Sequence, residues 1–119
     1  MIQGIGLDIV EIERIQRAQK RNKRFATRIL TQNERDIYES LATEKRRMEF
    51  LAGRFAAKEA VAKATGTGIG NLSFQHIHVG RQENGAPNVE VEGFENHIFL
   101  ISITHTKGVA AAQAMMIKK

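Results

Sequence analysis

The chain has no cysteine and no tryptophan, and only one proline and one tyrosine among 119 residues. Without thiols, neither a disulfide framework nor a thiolate metal site can form, and the composition suits a reducing cytosol. No uninterrupted apolar run approaches the roughly 20 residues of a membrane-spanning helix. A secretory signal is not expected, because Asp8 and Glu11 stand where its apolar region should be. Repeats, linkers and low-complexity segments are also missing. These absences predict one cytoplasmic domain over residues 1–119, with no membrane contact.

What is present supports a core. Apolar residues make up 42% of the chain, and a domain of this length buries about 60–70% of its unfolded surface. The net charge of +5 is unevenly placed. Between Arg14 and Arg28 there are seven basic residues and no acid, whereas the rest of the chain has eleven basic and thirteen acidic residues. Arg14, Arg17, Arg21, Arg24 and Arg28 recur at three- and four-residue steps, which draws one stripe along a helix. A solvated face would explain most charge runs. Five like charges in register repel one another, however, so an acidic partner is the better explanation.

The pattern predicts a strand over 2–7, a helix from about 9 to 24, a short helix near 31–42 and a long helix over 44–65. Thr31-Gln-Asn-Glu34 has a capping-box pattern, and Gly66 stands where a left-handed cap ends a helix. Beyond Gly70 the chain turns to β. Residues 73–81 alternate, 88–91 form a short strand, and 97–104 with 109–117 make a hairpin around a Thr-Lys-Gly turn. Helices followed by adjacent strands give an α+β fold, with the N-terminal strand and helices packed on an antiparallel sheet.

Three positions carry chemistry. On the long helix, Met48, Leu51, Ala52, Phe55 and Ala62 share a face, with Glu59 in its middle. A carboxylate there must be neutralised, paired or bound to a metal, and Lys63, four residues on, is its simplest partner. Asp8 ends the first strand, where it fits a helix N-cap with Glu11 closing the box. The run Ile101 to Thr106 is an apolar strand ending in Thr104-His105-Thr106. Two other patterns lack context. Gly66-Thr-Gly-Ile-Gly70 follows a helix and has no Gly-Lys-Ser/Thr, so it is a helix stop and not a phosphate loop. His76 and His78 have no obvious third ligand and are better explained as surface strand residues than as a zinc site.

Taken in order and spacing, GIGLDIVEIERI, GRFAAKEAVAKATGTGIG and SITHT resemble the 4′-phosphopantetheinyl transferases, most closely their short bacterial members. The motifs run from Met1 to about Ala112, and the block around Glu59 is the specific one. Members move the 4′-phosphopantetheine arm of coenzyme A onto a serine of an acyl carrier protein, in support of fatty acid biosynthesis. They release adenosine 3′,5′-bisphosphate. The resemblance implies Mg²⁺ held by Asp8 and Glu59, with Lys63 near the phosphates. It implies that His105, Thr106, Gly66, Gly85 and Pro87 belong to the coenzyme A site. The acceptor of the serine proton stays open among Glu59, a metal-bound water and His105. Many members carry Gly-Lys-Pro where this chain has Gly85-Ala86-Pro87, so that lysine contact is missing here while the loop shape can survive.

Larger members look like two such halves fused, and this chain is one half. A homotrimer with sites at the subunit boundaries is therefore implied. The arginine stripe finds its acidic partner in the carrier protein, with Arg14, Arg21, Arg24 and Arg28 as the row, Phe25 as an apolar anchor and Arg46 as an extension. The alternative from a different class is a small nucleic-acid-binding protein whose stripe (residues 14–28) lies on phosphates. Only Phe25 is available beside the stripe for stacking on bases, and that alternative leaves Glu59 unexplained.

Overall fold

A computed structural model describes residues 1–119. Strand β1 (Ile2–Glu11) leads into α1 (Ile12–Arg21), α2 (Arg24–Ile29), α3 (Gln32–Ser40) and α4 (Glu44–Thr65). A 3₁₀ turn at Phe74–His76 then opens the β half, made of β2 (Ile77–Arg81), β3 (Pro87–Val91), β4 (His97–His105) and β5 (Val109–Lys118). Two antiparallel sheets result: β1-β5-β4, with β5 central, and the pair β2-β3. The α+β class and the hairpin read from sequence are both present.

The three-stranded sheet has an inner and an outer face. Gly4, Gly6, Asp8 and Val10 of β1, Ala110, Ala112 and Ala114 of β5 and Phe99 of β4 point inward. Helix α4 lies across this inner face, and small residues let it come close. A Cβ added at Gly4 would sit 1.8 Å from the carbonyl oxygen of Ala64, and one at Gly6 would sit 1.8 Å from that of Ala60. Both glycines are therefore required by the strand–helix approach. The core is one cluster of 25 buried apolar residues, with α4 running through its middle.

Four expectations need correction. The first strand runs on to Glu11, because β5 pairs with it as far as Glu11↔Val109. Asp8 consequently lies inside a strand and caps nothing; α1 begins at Ile12, and Glu11 at its cap makes no side-chain cap bond. The helix expected over 9–24 is two helices, α1 and α2, broken at Asn22-Lys23. Asn22 stops the first by going extended and starts the second by accepting the Arg24 N–H at 3.0 Å. The arginine stripe is thereby divided between two helices, although all five arginines remain exposed. Finally, α4 is buried on nearly every side and not on one face alone: Ala56, Ala57, Ala60, Val61 and Ala64 are buried along with Met48, Leu51, Ala52 and Ala62.

Local signals did hold at the end of α4 and the start of α3. Gly66 takes the left-handed conformation at φ 81°, while Thr43, a cap that was not read from the sequence, accepts the Arg46 N–H at 3.1 Å. Glu34 closes the α3 box by accepting the Thr31 N–H at 2.9 Å. The same carboxylate does more. It is buried, and it receives the Lys58 ammonium at 2.6 Å and the Val79 N–H at 2.7 Å. Lys58 is fully buried too and also donates to the carbonyls of Ile29 (2.7 Å) and Phe74 (3.1 Å). Burial pushes the Lys58 pKa down, and the Glu34 charge opposes that shift. This ion pair fastens α2, α3 and β2 to α4.

Candidate active site

Where β1 crosses the C-terminal half of α4, three of the expected residues meet. Asp8 points inward from β1, Glu59 is half-buried on α4, and Lys63 stands one turn beyond Glu59. Lys63 does not pair with Glu59, the partner expected from their spacing. It reaches across to β1 and donates to the Asp8 carboxylate at 3.1 Å and to the Leu7 carbonyl at 2.9 Å. The extension of β1 past residue 7 explains this, since it puts a carbonyl and a carboxylate within reach of the ammonium.

Glu59 is left with an unusual balance. Burial raises its pKa most, and the Asp8 charge raises it further; Lys63 and Arg14 act in the opposite direction. Two carboxylates thus act on each other, and the Lys63 ammonium is bonded to one of them. Gly66 caps α4 directly beyond Lys63, donating to the Lys63 carbonyl at 3.1 Å.

The remaining expected residues gather elsewhere. His105 ends β4, and its Nδ1 lies 3.9 Å from Glu49 near the start of α4. With Gly85, Pro87 and Arg46 it lines a cavity of about 610 Å³, within the range of small-ligand sites. Among the cavity residues that sequence reasoning missed are Arg54, Arg81 and Phe50. The Arg54 guanidinium lies 4.4 Å over the Phe50 ring, and its buried Nε has no partner. Burial pulls its pKa down, and the Arg81 charge adds to this against Glu34; an arginine still keeps its charge. A buried cation with an unused donor, beside Arg46, Arg81 and His105, is suited to a phosphate. An arginine in an alanine-rich helix gave no sign of this in the sequence.

Thr106 does structural work at the β4–β5 turn, where its Oγ1 accepts the N–H groups of Gly108 and Val109, both at 3.2 Å. A larger cleft of about 750 Å³ opens between β3 and β4. Its walls carry Glu90, Glu92 and Glu95, which repel phosphates, and of the expected residues only Pro87 reaches it.

The two groups lie apart along α4. Glu49, beside His105, and Glu59 lie ten positions apart on α4, which is about 15 Å at 1.5 Å per residue. On α1 and α2, Arg14, Arg21, Arg24 and Arg28 form a separate basic surface. Phe25 is half-buried there, with its ring 6.1 Å from that of Phe55. Arg46 is exposed and lines the cavity with His105.

The chain is similar to proteins of one family along nearly its whole length. The sequence profile of the 4′-phosphopantetheinyl transferase superfamily matches residues 4–114. A holo-[acyl-carrier-protein] synthase of Bacillus pumilus is 55% identical over 117 residues, covering 98% of this chain and 96% of the relative. The synthase of Bacillus subtilis has the same identity and coverage. The structure of a holo-(acyl-carrier-protein) synthase from Bacillus anthracis in complex with CoA (3′,5′-ADP) superimposes with a TM-score of 0.90 at 44% identity, covering 100% of this chain and 99% of that one. With the profile spanning nearly all of β1 to β5, the chain belongs to the 4′-phosphopantetheinyl transferase superfamily.

Proposed function

We propose that this chain, working as one domain over residues 1–119, is a cytoplasmic holo-[acyl-carrier-protein] synthase. It moves 4′-phosphopantetheine from coenzyme A to a serine of apo acyl carrier protein. The serine hydroxyl gives up its proton, which ends in solvent; its oxygen bonds to the pantetheine-side phosphorus, the bridging P–O bond breaks, and adenosine 3′,5′-bisphosphate leaves with the electron pair. The observation that carries this reading is the meeting of Asp8, Glu59 and Lys63 at the β1–α4 crossing, in a chain of this superfamily.

The donor set fits Mg²⁺. Two carboxylates close enough for one to raise the other's pKa, with no thiolate or imidazole among them, are hard oxygen ligands of the kind that ion takes. Asp8 and Glu59 would hold it, and when bound it absorbs the charge that builds on the pyrophosphate oxygens. Lys63, already anchored on Asp8, presents a point charge to the same phosphates. In the second cavity Arg54, Arg46 and His105 take the nucleotide end. Arg81 supplies there the loop cation that Ala86 does not provide.

The catalytic cluster and the nucleotide cavity must belong to one working site, so neighbouring subunits complete it. The outer sheet face supports a homotrimer. Ile5, Leu7 and Ile9 of β1 and Ile98 and Leu100 of β4 are 44–64% exposed, a contiguous apolar surface of the kind that marks an interface. The carrier protein docks on Arg14, Arg21, Arg24 and Arg28.

The test is to incubate the protein with coenzyme A, Mg²⁺ and an apo acyl carrier protein and to weigh the carrier. A gain of one phosphopantetheine group is expected, and no gain overturns the reading. The nucleic-acid alternative requires a free aromatic, but Phe25 is packed on Phe55. Salt-sensitive RNA binding without carrier modification would restore that alternative.

A further inference from the structure

Helix α2 is too short to hold itself. It has six residues, whereas isolated helices below about 12 residues are marginal in water even with favourable sequences. Ala26 and Ile29 of α2 are buried in the core, and Phe25 packs on Phe55. Side chains that reach in from elsewhere add the hydrogen bonds that a helix this short cannot make for itself.

At the N-terminal end, Asn22 Oδ1 accepts the Arg24 N–H at 3.0 Å and Gln19 Oε1 accepts the Ala26 N–H at 2.9 Å. The C-terminal end is held from a distance. The Gln75 amide nitrogen lies 3.0, 3.0 and 2.9 Å from the carbonyl oxygens of Thr27, Arg28 and Leu30, which share its two N–H donors. Lys58 takes the remaining carbonyl in this run, that of Ile29, at 2.7 Å. Four successive carbonyls at a helix end are thus served by two side chains remote in sequence. Lys58 is immobile, fixed by Glu34 and Phe74. Gln75 is exposed, sits on the 3₁₀ turn and has its own N–H fixed by Ser73 Oγ at 3.1 Å. No core packing requires a glutamine there, and its amide serves α2.

We propose that Gln75 is a positioning residue for carrier recognition: its amide and the Lys58 ammonium hold α2 so that Arg24 and Arg28 face the docking carrier protein. The inference rests on the reading that the arginine surface docks the carrier. Lys58 precedes Glu59 on α4, so the anchor joins the docking helix to the helix that bears the site. With α2 loose, Arg24 and Arg28 would keep their charge and lose their place. Recognition would then suffer while the coenzyme A site stayed intact.

The test uses the full chain with Gln75→Ala, and Gln75→Glu as a variant of equal size that lacks the donor. In both, backbone amide exchange over residues 24–30 should accelerate by about tenfold or more, while β4, β5 and the centre of α4 keep their protection. The KM for carrier protein should rise severalfold, with kcat and the KM for coenzyme A unchanged. Arg24→Glu serves as the control for docking. Unchanged exchange in α2 overturns the anchoring role. Faster exchange with an unchanged carrier KM overturns the positioning role if Arg24→Glu does raise that KM. If Arg24→Glu also leaves it unchanged, the docking reading has failed and the proposal fails with it.

Discussion

Glu59 is the residue at which function and stability pull apart. Its pKa is raised, by burial first and by Asp8 second. As pH rises, the unfolded chain therefore gives up this proton before the folded one does. Ionised Glu59 costs stability above its folded pKa, and the cost vanishes below the unfolded value of about 4.3. Glu59→Gln removes the charge and keeps the shape. In chelator-containing buffer near neutral pH the variant should melt at or above the parent temperature, and the difference should close near pH 4. Its transferase activity should fall by on the order of 10²-fold or more, as when a preorganised electrostatic partner of a transition state is removed. Melting curves across pH and a carrier-modification assay check the two halves separately. A variant that melts well below the parent, or turns over normally at limiting Mg²⁺, contradicts this account. Asp8→Asn should lose activity alike, with no helix cap at stake because Asp8 sits in a strand.

Between elements, the Lys58–Glu34 pair is the polar fastening of the fold. Lys58→Met leaves a buried carboxylate without its cation and should cost about 3–5 kcal/mol in denaturant unfolding. Adding Glu34→Leu should recover part of that loss, although the Val79 and Thr31 N–H groups then go unpaired. A double variant no better than the single one would show that the ammonium matters for Ile29 and Phe74 alone. Charge reversal at Arg14 or Arg21 should raise the KM for carrier protein severalfold and leave that for coenzyme A unchanged. The effect should shrink in salt, since exposed charges are screened within about 8 Å at physiological ionic strength. Steady-state kinetics at two ionic strengths decide it, and equal losses for both substrates would indicate misfolding.

The Lys58–Glu34 pair was hidden in the sequence because Glu34 already had a local job in its capping box, and its partner lies 24 residues away. Helix α4 and the β4–β5 hairpin were legible because both are long, strongly patterned and closed by Gly66 and a Thr-Lys-Gly turn. The end of β1 was not, since Asp8 and Glu11 imitate a capping box and only pairing with β5 overrides it. The α1–α2 break was masked by arginines that keep helical spacing across Asn22-Lys23. Asp8, Glu59 and Lys63 stood out as charges in apolar elements, whereas Arg54 showed itself only once the fold had buried it.

At the scale of the whole molecule, the proposed trimer and shared site make joint predictions on the apolar outer sheet face. Leu7→Glu, on that face at 59% exposure, should shift the protein to monomers by light scattering. The isolated subunits should stay folded and lose activity; a fully active monomer would refute the shared site. Mixing inactive Asp8→Asn and His105→Ala chains should restore part of the activity, because one boundary in such a mixture can carry both intact halves. The composition also has an optical consequence. With no tryptophan and one tyrosine, each subunit carries a single intrinsic fluorophore. Tyr38 has its ring 6.5 Å from Phe50, the ring under Arg54 in the cavity proposed for the nucleotide. Ultraviolet emission from the unlabelled protein should therefore act as a local gauge of that cavity, changing when adenosine 3′,5′-bisphosphate arrives and staying still when a carrier protein without tyrosine or tryptophan docks on the arginines.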